Sequence, residues 1–174
     1  EIAFFGGSFT AIEREYMCSL LTAAKHFLDT HSFAGIRVST RPDAIDKDVL
    51  ETLKNYGVTA IELGAQSMDD DVLLANRRGH TSDDVRRASA LIKEYGFQLG
   101  LQMMTGLYKS DFQKDMQTAR EIIKLQPNTV RIYPTVVLKN TRLAYLQETG
   151  EYKAPTAEES APFCAELLQM FTEN

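Results

Sequence analysis

The sequence predicts an α/β protein built as a partial (β/α) TIM-like barrel of about five parallel βα units. Five short apolar runs alternate with segments of helical periodicity, and successive runs start about 25–40 residues apart, the length of one βα unit. Each run is too short for a helix and continuous enough for a strand buried on both faces. The runs are Ile2–Phe5, Ile36–Val38, Ala60–Leu63, Leu99–Met104 and Val130–Tyr133.

Polar residues follow several of these runs directly, at the point where each predicted strand ends. Alternating β and α segments imply a parallel sheet with right-handed crossovers, so the carboxyl ends of the strands meet at one edge. Ligands of parallel α/β folds collect at that edge. An open sheet is the alternative, but the repeated polar strand ends favour a barrel with a small-molecule site.

The helices between the runs begin and end at recognisable residues. A long first helix is predicted over Glu13–Leu28. Acidic or hydroxyl residues open three further helices, and a glycine or proline ends each of them: Asp46 with Gly57, Thr81 with Gly96, and Ser110 with Pro127. The last helix, Thr156–Phe171, contains Pro162, which is expected to start a new turn or to kink the helix.

The composition is that of an ordinary globular protein: 174 residues, 44% hydrophobic and 25% charged. The net charge of −5 argues weakly against a generic nucleic-acid surface. Cys18 and Cys164 lie far apart and match no metal motif, which indicates a reduced, cytoplasmic chain, and no apolar run is long enough for a membrane helix. The chain opens at Glu1 without Met and closes inside a predicted helix, so we expect a segment of a longer protein.

The first strand end supplies Gly6 and Gly7, whose backbone can approach a ligand closely, followed by the hydroxyl group of Ser8. Taken alone, this pair of glycines is more typical of a tight βα turn than of ligand binding. We therefore treat these residues as ligand-binding candidates that need the other strand ends for support.

The second strand end supplies Ser39, and the fourth supplies Gln102 and Met104. A glutamine inside an apolar strand needs hydrogen-bond partners, which a ligand can provide, whereas a methionine is more typical of core packing. Arg41 and Asp43, which follow Ser39, are equally consistent with ligand binding and with a surface ion pair of little energetic value.

The third strand end is the richest in polar residues. Gln66 ends the strand, and Arg78 downstream is suited to gripping a carboxylate with two hydrogen bonds. The acidic run Asp69–Asp71 is typical of a helix N-terminus, and His80 is more typical of a helix entry than of catalysis. Glu62 is expected to face either the barrel or the helices.

The fifth run continues as Arg131–Leu138, where Tyr133 and Val136 are expected to shape one wall of a pocket. No catalytic triad, P-loop, HExxH motif or zinc-ligand spacing is present in the sequence. The sequence therefore predicts no catalytic side chain and no metal ligand.

Five segments, in order along the chain, resemble the radical S-adenosylmethionine (radical SAM) superfamily, and within it the oxygen-independent coproporphyrinogen III oxidases and the radical domain of Elongator catalytic subunits. The segments are FFGGSFTAI, IRVSTRPDAI, IELGAQSMDDDVLLANRRGHT, LGLQMMTGL and VRIYPTVVLK. The resemblance implies a core from the (β/α)6 barrel of that family. It also implies two cofactors, S-adenosylmethionine and a [4Fe–4S] cluster on a CxxxCxxC loop, which together yield a 5′-deoxyadenosyl radical.

The resemblance also implies cofactor contacts for nine residues. It places the methionine amino group of the cofactor at the glycine motif, its carboxylate group at a basic residue, and its nucleoside at the later strands. The corresponding residues are Gly6 and Gly7 for the amino group, with Ser8 beside them as a further cofactor contact, Arg78 for the carboxylate, Ser39 for the methionine or ribose, Gln66 for the ribose, Gln102 and Met104 for the ribose and adenine, and Val136 for the adenine wall.

The CxxxCxxC loop is absent from this sequence, and Cys18 and Cys164 cannot replace it. By the family pattern the loop and the first strand lie upstream of Glu1. Residues 1–174 are therefore expected to be a single core domain truncated at both ends and inactive by itself. Loss of the first strand would leave Ile2–Phe5 as an exposed edge, which favours an artefactual dimer.

The substrate depends on the branch: a porphyrinogen for the oxidases, or a tRNA wobble uridine, with a downstream acetyltransferase domain, for the Elongator subunits. The runs Ser39–Pro42 and Arg77–Thr81 slightly favour the Elongator side. Two other classes stay open. One is a metabolite-binding barrel lyase or aldolase, which needs a lysine or metal ligands at strand ends, and the other is a non-catalytic scaffold or binding module.

Overall fold

A parallel sheet of five strands forms the centre of the computed structural model, which describes residues 1–173. The strands lie side by side in their order along the chain, and the sheet curls into half of a barrel. The predicted fold class is thereby confirmed, and each predicted strand is present. The strands are β1 (Ile2–Phe4), β2 (Ile36–Thr40), β3 (Val58–Gln66), β4 (Gln98–Thr105) and β5 (Thr129–Pro134).

Helices connect and cover the strands, and most begin at a side chain that caps the backbone. Asp46, Thr81 and Asp111 each accept a hydrogen bond from a backbone N–H of the first turn, while Gly57 and Gly96 follow their helices with positive φ. No helix within residues 1–173 is long and apolar enough to cross a membrane. The helices are α1 (Arg14–Thr30), α2 (Lys47–Asn55), α3 (Asp70–Ala75), α4 (Ser82–Glu94), α5 (Phe112–Lys124), α6 (Arg142–Glu148) and α7 (Ala157–Thr172).

The expectation that every strand is buried on both faces was wrong. The edge strands β1 and β5 are not buried on both faces, since each of their side chains is either half-buried or exposed. The last helix, α7, continues through Pro162 without a break. A capping box between Thr156 and Glu159 fixes its first turn, and the helix packs on α5 and β5, so tertiary contacts outweigh the lost hydrogen bond.

The sheet has an apolar outer face and a polar inner face, because successive side chains of a strand point to opposite sides. Val38, Ile61 and Leu99 belong to the fully buried core on the outer side. We call the other side the interior face. It comprises Arg37 and Ser39 of β2, Glu62 of β3, Gly100, Gln102 and Met104 of β4, and Arg131 and Tyr133 of β5.

The C-terminal part of the chain is joined to the barrel in two ways. Strand β5 pairs with β4 from Gly100 to Thr105. The hydroxyl group of Tyr152 donates a hydrogen bond to the carbonyl oxygen of Gly106 at 2.6 Å, while the N–H of Gly106 donates to the buried carboxyl group of Asp115 at 2.8 Å. The Gly106 peptide is thus held on both sides, by α5 and by the segment before α7.

Candidate functional site

The carboxylate group of Glu62 lies at the centre of the interior face and is 1% exposed. Its Oε1 accepts hydrogen bonds from the guanidinium groups of Arg131 at 3.0 Å and Arg37 at 3.4 Å. Its Oε2 accepts from Nε2 of Gln102 at 2.9 Å and from the hydroxyl group of Ser39 at 3.3 Å. Glu62 therefore faces the barrel and ties β3 to its neighbours β2 and β4 and to β5 beyond.

Two glycines give the interior side chains their space. A Cβ on Gly100 would lie 2.7 Å from Cγ of Glu62 and 3.0 Å from Oγ1 of Thr129. A Cβ on Gly64 would lie 2.7 Å from Nε2 of Gln66. Neither glycine has positive φ, so the need for glycine at both positions comes from space and not from backbone conformation.

Gln66 ends β3 in an unusual conformation. Its φ is +66°, the left-handed region that non-glycine residues rarely adopt, and the pairing of β3 with β4 is irregular between Leu63 and Gln66. The side chain is 8% exposed, and its buried Oε1 has no hydrogen-bond partner within residues 1–173. An unpaired buried amide oxygen costs about 1–3 kcal/mol, so this atom suits a ligand that brings a donor.

Arg78 and His80 lie in the loop between α3 and α4, beside the end of β3. The Nε of Arg78 is buried without a partner among the described residues, and burial, followed by the charge of Arg41, lowers the pKa of Arg78. Burial also lowers the pKa of His80, so its ring is neutral near pH 7. Its Nε2 donates to the carbonyl oxygen of Ala65 at 3.1 Å, which holds the loop against the end of β3.

The loop after β1 is open to solvent. Gly6 and Gly7 have φ of +137° and +76°, both are exposed, and no heavy atom of residues 1–173 would lie within 4 Å of an added Cβ. Backbone conformation, and not lack of space, therefore requires glycine here. Ser8 is half-buried and starts the 3-10 turn Phe9–Ala11 without a side-chain capping hydrogen bond.

Apolar and aromatic side chains lie at the rim of the interior face. Met104 is half-buried, Tyr133 is exposed, and the guanidinium group of Arg131 lies 5.0 Å from the ring centre of Phe5. Val136 is 74% exposed and lies beyond β5. The predicted continuation of the fifth run as far as Leu138 was wrong: the strand ends at Pro134, whose missing N–H cannot extend a sheet.

The structure brings some of the predicted residues together and separates others. Ser39 and Gln102 meet at Glu62, and Ser39 is 2% exposed with its hydroxyl group bonded there. Arg41 and Asp43 form an ion pair with each other, which is one of the two interpretations that the sequence allowed for these residues. The acidic run after Gln66 begins α3, with Asp69 as its cap, as the helix interpretation of that run predicted.

Sequence reasoning missed the two arginines that contact Glu62 and the central position of Glu62 itself. A signal for them was present in the sequence. A single charged residue flanked by apolar residues inside a strand lies on the face opposite the core. This pattern occurs at Arg37 between Ile36 and Val38, at Glu62 between Ile61 and Leu63, and at Arg131 between Val130 and Ile132.

The side chains present do not fit an iron–sulfur cluster. Within residues 1–173, no three His, Cys, Asp or Glu side chains converge as metal ligands. Cys18 on α1 and Cys164 on α7 are free thiols, each half-buried. The site instead offers backbone N–H groups, amides and a guanidinium group, which can bind and orient a polar ligand with an anionic group.

Comparison with known families gives two adjoining matches. Residues 1–122 match the radical SAM superfamily, and residues 127–174 match the radical SAM C-terminal domain. The tRNA uridine(34) acetyltransferase of Methanocaldococcus jannaschii is 30% identical over 92% of this chain and 33% of its own length. Human Elongator complex protein 3 is 28% identical over 98% of this chain and 35% of its own length. The chain thus spans about a third of the length of these relatives.

Solved structures agree with these matches. The archaeal Methanocaldococcus infernus Elp3 with an N-terminal deletion superposes with a TM-score of 0.85 at 25% identity, covering 95% of this chain and 43% of that one. Coproporphyrinogen III oxidase (HemN) from Escherichia coli, described as a radical SAM enzyme, gives a TM-score of 0.74 at 17% identity, covering 98% of this chain and 39% of that one. At that identity, the second likeness shows a shared fold alone.

Proposed function

The chain belongs to the radical SAM superfamily, and on that premise we propose that the carboxyl ends of its strands bind S-adenosylmethionine. The family uses this cofactor together with a [4Fe–4S] cluster. One observation carries the proposal: Oε1 of Gln66, at the end of β3, and Nε of Arg78, in the loop that His80 holds against that strand end, are both buried without a partner among residues 1–173. One is an acceptor and the other a donor, which suits a ligand that has both hydroxyl and carboxylate groups.

The roles of the residues follow from their positions. Backbone groups of Gly6 and Gly7, next to Ser8, bind the amino end of the cofactor in an open loop, and Arg78 binds its carboxylate group. Gln66 and Gln102 accept hydrogen bonds from the ribose, and Met104 and Val136 form an apolar wall for the adenine. Ser39 acts indirectly, since its buried hydroxyl group is bonded to Glu62.

The iron–sulfur cluster requires donors from elsewhere, because the cysteines described here lie singly on two helices. We propose that residues outside this segment of the protein supply its thiolates and that residues 1–174 form one core domain, which is inactive without them. In this proposal, the role of the chain is to hold and orient S-adenosylmethionine. The chemistry that the bound cofactor supplies in the family is a 5′-deoxyadenosyl radical.

We propose a tRNA uridine as the substrate of the whole protein and a cytoplasmic location. The support is the 27–30% identity of the chain to tRNA uridine(34) acetyltransferases and Elongator complex protein 3 over 87–98% of its length. The likeness to the porphyrinogen oxidase rests on fold alone. Phe5, Tyr133 and Arg131 at the rim of the interior face add aromatic and cationic surfaces of the kind that stack on unpaired bases.

Binding of S-adenosylmethionine to the 174-residue chain, followed by isothermal titration calorimetry up to millimolar ligand, tests the proposed site. We expect Arg78→Ala to weaken binding roughly tenfold or more, because a charge-assisted hydrogen bond to the carboxylate group is lost. Arg77→Ala is the matched control, since this neighbouring arginine is exposed. No binding by the wild-type chain, or equal affinities for the Arg78→Ala variant and the wild type, would refute the proposal.

A further inference from the structure

From the contacts of Glu62 we infer that it is a positioning residue, which turns the carboxamide group of Gln102 so that its oxygen faces the cofactor as a hydrogen-bond acceptor. This inference rests on the proposed function, because it concerns how the same site recognises the ribose of S-adenosylmethionine. It assigns to Glu62 a role in selectivity without any contact with the ligand.

The first step is the direction of the hydrogen bonds around Glu62. A carboxylate group offers only acceptors, so every partner within hydrogen-bond distance must donate. Nε2 of Gln102 lies 2.9 Å from Oε2 of Glu62, which fixes the amide: its NH₂ group points to Glu62 and its oxygen points away. The hydroxyl group of Ser39 donates to the same Oε2 at 3.3 Å.

The second step is that Glu62 itself has no freedom to turn. It is 1% exposed, and the guanidinium groups of Arg37 and Arg131 hold its Oε1. Its Cγ packs against Gly100 so closely that a Cβ added to this glycine would lie only 2.7 Å from it. Arg37 is in turn paired with Glu1 at 3.0 Å. A buried carboxylate with several donors is a rigid reference for the side chain that it contacts.

The third step is that the oxygen of Gln102 is available to a ligand. Gln102 is half-buried, and its Oε1 accepts no hydrogen bond from residues 1–173. Unlike Oε1 of Gln66, this atom is not sealed from solvent. It therefore presents a lone-pair acceptor to the barrel interior, which selects for a ligand that donates, such as a sugar hydroxyl group.

The test compares affinities of S-adenosylmethionine and of its 2′-deoxy and 3′-deoxy analogues for the wild-type chain and its variants. In the wild type we expect one of the analogues to bind about three- to tenfold more weakly, as for the loss of one hydrogen bond. Gln102→Met removes the acceptor at similar size, and Glu62→Gln keeps the shape but lets the Gln102 amide turn. Gln102→Met should abolish this difference and Glu62→Gln should reduce it, in each case because the binding of S-adenosylmethionine is weakened and that of the analogue is not.

The double variant Glu62→Gln with Gln102→Met should lose no more selectivity than Gln102→Met alone, because Glu62 acts through Gln102. Gln98→Met at the exposed start of β4 and Glu166→Gln on the exposed side of α7 are matched controls that should keep the wild-type selectivity. A general loss of stability would weaken the binding of all ligands alike. The ratio of the affinities for S-adenosylmethionine and the deoxy analogue therefore distinguishes a positioning role of Glu62 from a purely structural one.

A second measurement uses the wild-type chain and does not depend on the folding of any variant. On addition of S-adenosylmethionine, the NMR signal of the Gln102 side-chain carbonyl carbon should shift more than that of its amide nitrogen. The reverse pattern, or selectivity retained in folded Glu62→Gln, would overturn the inference while leaving S-adenosylmethionine binding intact. If the wild type binds no S-adenosylmethionine, the proposed function fails and the inference fails with it.

Discussion

Gly100 and Gly64 lie on neighbouring strands, and an added methyl group would meet a different kind of obstacle at each. At Gly100 the obstacle is Cγ of Glu62, in the middle of a side chain that four partners hold in place. At Gly64 it is Nε2 of Gln66, the far end of a flexible side chain. Space on the interior face is therefore limited in two ways, one by a rigid group and one by a movable group.

This difference predicts different effects for the same Gly→Ala substitution at the two positions. Gly100→Ala should lower the free energy of unfolding by about 1–3 kcal/mol, because Glu62 cannot move without losing its partners. Gly64→Ala should cost less stability but weaken S-adenosylmethionine binding, because the amide group of Gln66 is displaced. Urea unfolding and calorimetric titration of both variants check this, and a greater loss of stability in Gly64→Ala would contradict it.

At this scale the sequence was a partial guide to the site. Glycines, hydroxyls and amides near strand ends could be assigned to one edge of the sheet, because strand ends in a parallel sheet share one edge. The carboxylate network was missed because the partners of Glu62 come from three strands, and only the pairing register shows that Ser39 and Gly100 lie on either side of it. A pattern along one strand cannot reveal contacts across several.

At the scale of the element, α7 shows how tertiary packing overrides a local rule. Pro162 has no N–H to donate to the carbonyl group of Glu158, four residues before it, yet the helix continues to Thr172. Strand bounds show the same effect, since β3 extends from Val58 to Gln66 although the apolar run that predicted it is much shorter. The hydrophobic periodicity of a segment predicts whether it forms a helix or a strand, but tertiary contacts with neighbouring elements decide where that element ends.

Replacement of this proline should stabilise the chain. Pro162→Ala restores a helical hydrogen bond at an exposed position and removes a steric clash, so the free energy of unfolding should rise by about 1–3 kcal/mol. Thermal unfolding followed by circular dichroism at 222 nm (the helix signal) measures the change. Pro155→Ala, outside the helix, is the control and should give no gain; a lower stability for Pro162→Ala would show that the proline fits a bend the packing requires.

At the scale of the whole molecule, the half-barrel has two strand edges within the described residues, β1 and β5. Edges with free N–H and C=O groups are templates for pairing with another chain. The N–H of Ile2 donates to Gly35, so the N–H of Ala3 points away from the sheet along the free edge of β1. The dimer expected from the sequence stays a prediction. The structure adds that the N–H of Ala3 is a group through which two copies would pair.

The prediction can be tested by blocking the free edge with one residue. Ala3→Pro removes the outward N–H without removing a hydrogen bond to β2, so self-association should weaken at least about tenfold. Ala3→Val, which keeps the N–H, is the matched control and should associate like the wild type. Sedimentation equilibrium at several concentrations measures both, and a wild-type chain that stays monomeric throughout would rule out the edge-to-edge dimer.

The attachment of the C-terminal part to the barrel has a consequence for how this protein can be divided. The two family matches meet between residues 122 and 127, yet β5 completes the sheet from the far side of that boundary, and Tyr152 closes on Gly106 across it. A protease that nicks the chain between α5 and β5 should therefore leave two pieces that stay associated. Neither piece, made separately, should fold without the other, so the cooperative folding unit spans both family matches.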